Sequence, residues 1–113
     1  MTVALMWGNE NEKVALKQYE DQCHPGQVLN SGLIISIKWP WLAGNPDALI
    51  LQQNKLVGGI EIKCPCSKRD MTVAGACQDK NIFYVNDSQW ISMKKHHMYY
   101  NQCQGIMNIV ELP

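Results

Sequence analysis

The chain has 113 residues, 46% of them hydrophobic and 18% charged, with 10 Lys and Arg against 10 Asp and Glu. That length predicts one domain, and the apolar content is too high for an intrinsically disordered chain. No apolar run reaches the roughly 20 residues of a membrane span, the polar stretch Asn9–Lys13 excludes a signal peptide's apolar core, and zero net charge excludes a whole-protein field pulling the chain onto nucleic acid or an acidic membrane.

In chain order, Met6–Cys23 predicts a helix, because Trp7, Val14, Ala15 and Tyr19 recur near a 3.6-residue period among polar residues. His24-Pro25-Gly26 stops it. Val28–Trp39 predicts an extended strand, with Leu33, Ile35 and Ile37 alternating with Ile34, Ser36 and Lys38 until Pro40 ends it. Asp47–Lys63 predicts a β-hairpin whose turn is centred near Asn54. Cys64–Lys80 reads as a loop with one helical turn around Met71–Cys77. Two short strands, Ile82–Val85 and Trp90–Met93, flank a turn at Asn86-Asp87-Ser88. Lys94–Ile109 predicts a second helix, weakened only by Gly105. The order gives an α+β fold (an α/β mixed sheet), with one central mixed sheet flanked by helices.

Five cysteines, Cys23, Cys64, Cys66, Cys77 and Cys103, are an odd number with no secretory signal, which points to reduced thiols in an intracellular protein. A zinc site built from Cys64 and Cys66 with Cys23, His24, His96 or His97 is a weaker alternative. Cys-Pro-Cys separates its thiols by one residue, short of the two-to-four spacing of zinc knuckles.

The hairpin carries the chemistry. With the turn near Asn54, antiparallel pairing sets Asp47 opposite a residue between Ile60 and Ile62, so Glu61 is its approximate cross-strand partner. Lys63, two residues on from Glu61, points to the same face. Opposed carboxylates repel unless a cation lies between them, and hard oxygen ligands suit Mg²⁺. An adjacent lysine can then orient or deprotonate the nucleophilic water or offset phosphate charge. Solvated charges at the ends of an edge hairpin are the alternative on spacing alone.

Pro46-Asp47 followed by Glu61-Ile62-Lys63 is the PD-(D/E)xK pattern of a large nuclease superfamily. Asn45-Pro46-Asp47-Ala48 resembles the Ser-Pro-Asp-Gly of the phage lambda exonuclease and YqaJ-type viral recombinase family. Glu61-Ile62-Lys63-Cys64-Pro65 with Arg69-Asp70 is similar to that family's E-(I/L)-K-C-P-x-x-x-R-D, and Lys94–Gly105 to its K-x-x-H-x-Y-Y-x-Q-x-Q-G helix. Trp7-Gly8 with Glu12 and Ala15 matches its W-G-x-x-x-E-x-x-A helix.

The resemblance implies a restriction-endonuclease-like core and a Mg²⁺-dependent deoxyribonuclease (Mn²⁺ able to substitute), end-directed and serving recombination or repair. It implies Asp47, Glu61 and the Ile62 carbonyl as metal ligands, with Glu12 completing the sphere from the first helix. Lys63 would act on the nucleophilic water and Gln102 would hold Lys63 or that water. Asn45, in place of the family's serine, and Arg69 would contact phosphate, and the role of His97 stays open. Linear double-stranded DNA, a homotrimer and a single-strand-annealing protein are the partners the family suggests, with no membrane. Residues 1–113 are expected to be one nuclease core lacking the family's C-terminal strand and helix. The rival reading is a non-catalytic remnant that binds DNA or protein. Tyr99 and Tyr100 are expected in packing, Trp39 and Trp41 as caps on the hydrophobic core (or a wedge at a duplex end), and Cys64 as a packed thiol.

Overall fold

The computed structural model describes residues 2–86 and 90–112. Helix α1 (Val3–Cys23) starts three residues before its predicted boundary because Thr2 caps it, its side-chain oxygen accepting the Leu5 N–H at 3.2 Å. It ends at His24, which adopts φ 46° and donates its N–H to the Glu20 carbonyl at 3.1 Å. Gly26 follows at φ +121°, where a Cβ would lie 2.5 Å from the Leu51 carbonyl oxygen. Gly26→Ala is therefore expected to cost about 1–3 kcal/mol, read as a lower urea midpoint at unchanged slope.

The long strand predicted from Val28 to Trp39 is instead two short ones. Gly32, at φ +65°, breaks the run between β1 (Gln27–Leu29) and β2 (Ile34–Ile35). Strand β2 pairs antiparallel with β3 (Ala43–Gly44), and this ribbon packs on the last helix, where Gly44 lets the Ile106 and Ile109 side chains approach the backbone. Strands β4 (Ala48–Gln52) and β5 (Lys55–Ile60) form the predicted hairpin, with β1 added alongside β4. Its two-residue turn is Gln53-Asn54, both at positive φ (51° and 62°), the backbone that matches the right-handed twist of paired strands.

After a 3-10 turn (Cys66–Lys68), the predicted helical turn is the short α2 (Val73–Ala76), capped by the Thr72 hydroxyl. Strands β6 (Tyr84–Asn86) and β7 (Ile91–Met93) pair antiparallel; residues 87 and 88 of the expected intervening turn lie outside the described residues. Helix α3 (Met98–Val110) begins four residues later than predicted. Lys94 is spent on tertiary bonds, its N–H to the Phe83 carbonyl (2.8 Å) and its Nζ to the Lys80 carbonyl (2.7 Å), and His97 caps the helix.

The α+β class holds, but the single mixed sheet does not. The described strands form three separate antiparallel sheets, β1-β4-β5, β2-β3 and β6-β7. Among the described residues, no connection between paired strands wraps a helix back onto the sheet, which is what parallel pairing requires. Ala48, Ile50, Ala76 and Ile82 are the buried hydrophobic residues, while many larger ones stay partly exposed. The Cα radius of gyration, 15.2 Å, exceeds the roughly 13 Å of a close-packed chain this long.

Candidate active site

The site sits where the β4–β5 hairpin opens onto α1 and α3. Counting straight back from the Gln52–Lys55 pair would set Asp47 opposite Ile60. A bulge at Val57 adds one residue to β5, so Ala48 pairs with Ile60 and the next position back sets Asp47 against Glu61. Residues directly opposite share a sheet face, so the bulge is what puts both carboxylates on one side. Asp47 Oδ2 accepts the Ile62 N–H at 2.6 Å, which fixes the carboxylate against the strand end.

Two groups of side chains result, close enough to feel each other's charge. In the first, the Glu12 carboxyl, brought in by α1, shares a hydrogen bond with that of Asp47. This raises the Glu12 pKa, helped by burial and by the negative charges of Asp47 and Glu61 and opposed by Lys63. In the second, Gln102 on α3 bridges the hairpin pair. Its Nε2 donates to Glu61 Oε1 at 3.0 Å, its Oε1 accepts from Lys63 Nζ at 3.1 Å, and Lys63 Nζ lies 3.3 Å from the same Glu61 oxygen. Lys63 also stands 4.2 Å over the Tyr99 ring, a cation–π contact. Both ion-pair side chains are mostly buried (23% and 15% exposed), so the pair is poorly screened.

Sequence reasoning assigned Tyr99 to packing. It does pack, at 5.2 Å from Phe83 and 4.6 Å from His97 between ring centroids, and it also seats the lysine. The signal was its position three residues before Gln102, which stacks the two on one helix face. His97 Nδ1 accepts the Tyr99 N–H at 3.1 Å. His97 lines a cleft of about 480 Å³ together with Glu12, Lys63 and Lys68. His97→Ala is expected to cost about 1 kcal/mol through loss of the cap, whereas His97→Asn keeps the cap and the melting temperature. Thermal melts of the two variants check this.

Glu12 and Ile62 line both this cleft and a second hollow, of about 330 Å³, that contains Asp47. On the far wall of the first, Lys68 pairs with Asp79 at 2.6 Å, and this bond, with the Asn81 N–H, holds Asp79 below the usual carboxylate range. Burial raises the Cys64 thiol, with Glu12 and Asp47 adding to the effect, as expected for a packed thiol.

The phosphate-contact candidates stand apart from these groups. Arg69 Nη1 donates to the Cys66 carbonyl at 2.8 Å, and its guanidinium lies 6.0 Å from the Trp7 ring centroid. Asn45 is exposed between β3 and β4. Trp39 and Trp41 do not cap the core; both are exposed, because the β2–β3 ribbon carries them outward.

A hard divalent cation fits the donors present. The Glu12 and Asp47 carboxyls lie within hydrogen-bonding reach of each other, and Glu61 Oε2 is buried with no partner among the described residues. Among the described residues no three or more His, Cys, Asp or Glu side chains are gathered as a metal site.

The profile of the YqaJ-like viral recombinase domain matches residues 1–112. The chain belongs to the YqaJ-like viral recombinase family. Neither a curated protein nor a solved structure matches it. Family membership supports a nuclease and recombination role at the coarse level. No described helix is long and apolar enough to cross a membrane.

Proposed function

We propose that the chain is a metal-dependent deoxyribonuclease that hydrolyses DNA phosphodiester bonds, acting from the ends of linear duplex DNA in recombination or repair. The observation that carries this reading is the Glu61–Gln102–Lys63 triangle beside the Glu12–Asp47 pair. It joins three elements distant in sequence into the acids, lysine and glutamine of one hydrolytic centre. On this reading the hairpin with α1 and α3 is a restriction-endonuclease-like core.

Asp47, Glu61, Glu12 and the Ile62 carbonyl would hold Mg²⁺ or Mn²⁺, which supplies charge neutralisation at the phosphate and a more acidic water. Lys63 contributes a positive charge at the scissile phosphate and orients the attacking water. Its three contacts hold that charge in one place before substrate arrives, so little reorganisation is needed in the transition state. Gln102 fixes both ends of the Glu61–Lys63 pair, and without it either side chain can swing away from the cleft. Asn45 and Arg69 would meet the phosphates that flank the reacting one, Arg69 by leaving its Cys66 contact. Trimer assembly and a single-strand-annealing partner belong to the same reading.

Incubating the chain with linear, nicked and closed circular duplexes, each with and without Mg²⁺, tests the end-directed mode. The linear form should be degraded only with Mg²⁺ while the closed circle survives; equal attack on the circle makes it an endonuclease.

One observation favours the non-catalytic alternative: no three side-chain ligands are gathered at one point among the described residues. DNA binding that is indifferent to Mg²⁺, without turnover, would select it.

A further inference from the structure

Strands β2 and β3 are joined by a loop that the proposed hydrolytic centre does not use. Ser36 is buried at 5% exposure and anchors it: the Ser36 N–H donates to the Leu42 carbonyl (2.9 Å), the Trp39 N–H to Ser36 Oγ (3.0 Å) and the Leu42 N–H to the Trp39 carbonyl (2.8 Å). Pro40 fixes a further backbone angle. The loop is therefore shaped before anything binds, yet Ile37, Trp39 and Trp41 are 89%, 42% and 75% exposed. Lys38 Nζ lies 5.6 Å from the Trp39 ring centroid. Residues 22–46 include no Asp or Glu, and Lys38 is their only Lys or Arg.

We propose that the loop Ile37–Trp41 is a stacking site for the bases of a single DNA strand, with Lys38 on the strand's phosphates. The inference rests on the reading of DNA as substrate. Two indole faces and one cation, in a segment that carries no acidic residue, suit a ligand that is aromatic and anionic at once. The ring centroids are 5.3 Å apart at 54°. A base inserted between two rings needs roughly twice the 3.4 Å rise per base, so each indole takes a base on its own open face and the strand bends between them. An unpaired strand offers such faces along its whole length, whereas a duplex offers them only at its two ends. Trp41 lies six residues before Asp47, at most about 20 Å of chain, so a strand held here stays within about six nucleotides of the cleft.

The test is fluorescence anisotropy of a labelled 12-nucleotide oligothymidylate with the full chain in EDTA, alongside sedimentation of the same samples. Trp41→Ala should weaken binding about tenfold or more, Trp41→Phe should retain most of it, and Lys38→Ala should lower the salt slope by about 0.7. No binding by the parent, or unchanged binding by Trp41→Ala, overturns the proposal. So does a Trp41→Ala effect confined to sedimentation, which would make the loop an interface between copies. A parent that binds the oligonucleotide but cleaves no duplex with Mg²⁺ refutes the nuclease and leaves the stacking site standing.

Discussion

Lys63→Ala is expected to lower kcat for Mg²⁺-dependent cleavage of linear duplex DNA by about 10²–10³-fold, the usual cost of removing one preorganised charge from a transition state. The ammonium is held by Gln102, Glu61 and the Tyr99 face at once, so its loss also frees Glu61 Oε1 from one of its two contacts. Gln102→Ala should act in the same direction but less, because Lys63 keeps Glu61 and Tyr99. The double variant should then lose less than the product of the two single losses, as residues that act as one unit do. Single-turnover rates at saturating enzyme, with circular dichroism to show retained helix, check all three. A Gln102→Ala effect larger than that of Lys63→Ala would invert the proposed roles.

Magnesium itself should stabilise the fold. At a hundred times its dissociation constant, a cation that binds only the folded chain contributes about 2.7 kcal/mol, roughly 10 °C in melting temperature for a chain of this size. Asp47→Asn should abolish that increment while leaving the metal-free protein as stable as the parent or more so. The sign follows from Glu12. Its pKa is raised by the hydrogen bond to Asp47, so the folded chain binds this proton more tightly than the unfolded one. In the absence of metal this pair therefore adds stability as pH falls through the raised Glu12 pKa toward its ordinary range. With Mg²⁺ the trend reverses, because the cation replaces the proton and the increment grows as pH rises. Scanning calorimetry across pH with Mg²⁺ or EDTA separates the two; an equal Mg²⁺ increment in Asp47→Asn would remove Asp47 from the metal site.

Much of this site was legible because it is written in local patterns. The polar stretch around Asn54 between two apolar runs fixes the hairpin turn, and the turn in turn places Asp47 near Glu61. The bulge at Val57 was not legible, since nothing in Leu56-Val57-Gly58-Gly59 marks which residue is extra, and it alone decides whether Asp47 faces Glu61 or Ile60. Helix α1 was foreseen by its periodicity and stop signals, but Thr2 moved its start. The strand over-extended to Trp39 followed real alternation, which Gly32 and the Ser36 turn override through backbone conformation. Trp39 and Trp41 are expected from the sequence to cap the hydrophobic core, whereas both are exposed, because burial depends on which element carries them. The Gln102–Lys63 contact spans 39 residues, and only the motif resemblance anticipated it; the Gln102–Glu61 bond was not anticipated.

The zero net charge now has a spatial meaning. Negative charge is gathered at Glu12, Asp47 and Glu61, while the region from Gln22 to Pro46 holds no acid at all. A balanced total thus conceals an uneven distribution of charge along the chain. The central claim is tested most directly by the release of nucleotides from an end-labelled linear duplex as Mg²⁺ is titrated, for the parent chain beside Asp47→Ala. Release that rises with Mg²⁺ and saturates in the parent, and is absent from an equally folded Asp47→Ala, is the predicted result. No release by the parent, or equal release by both proteins, would contradict it.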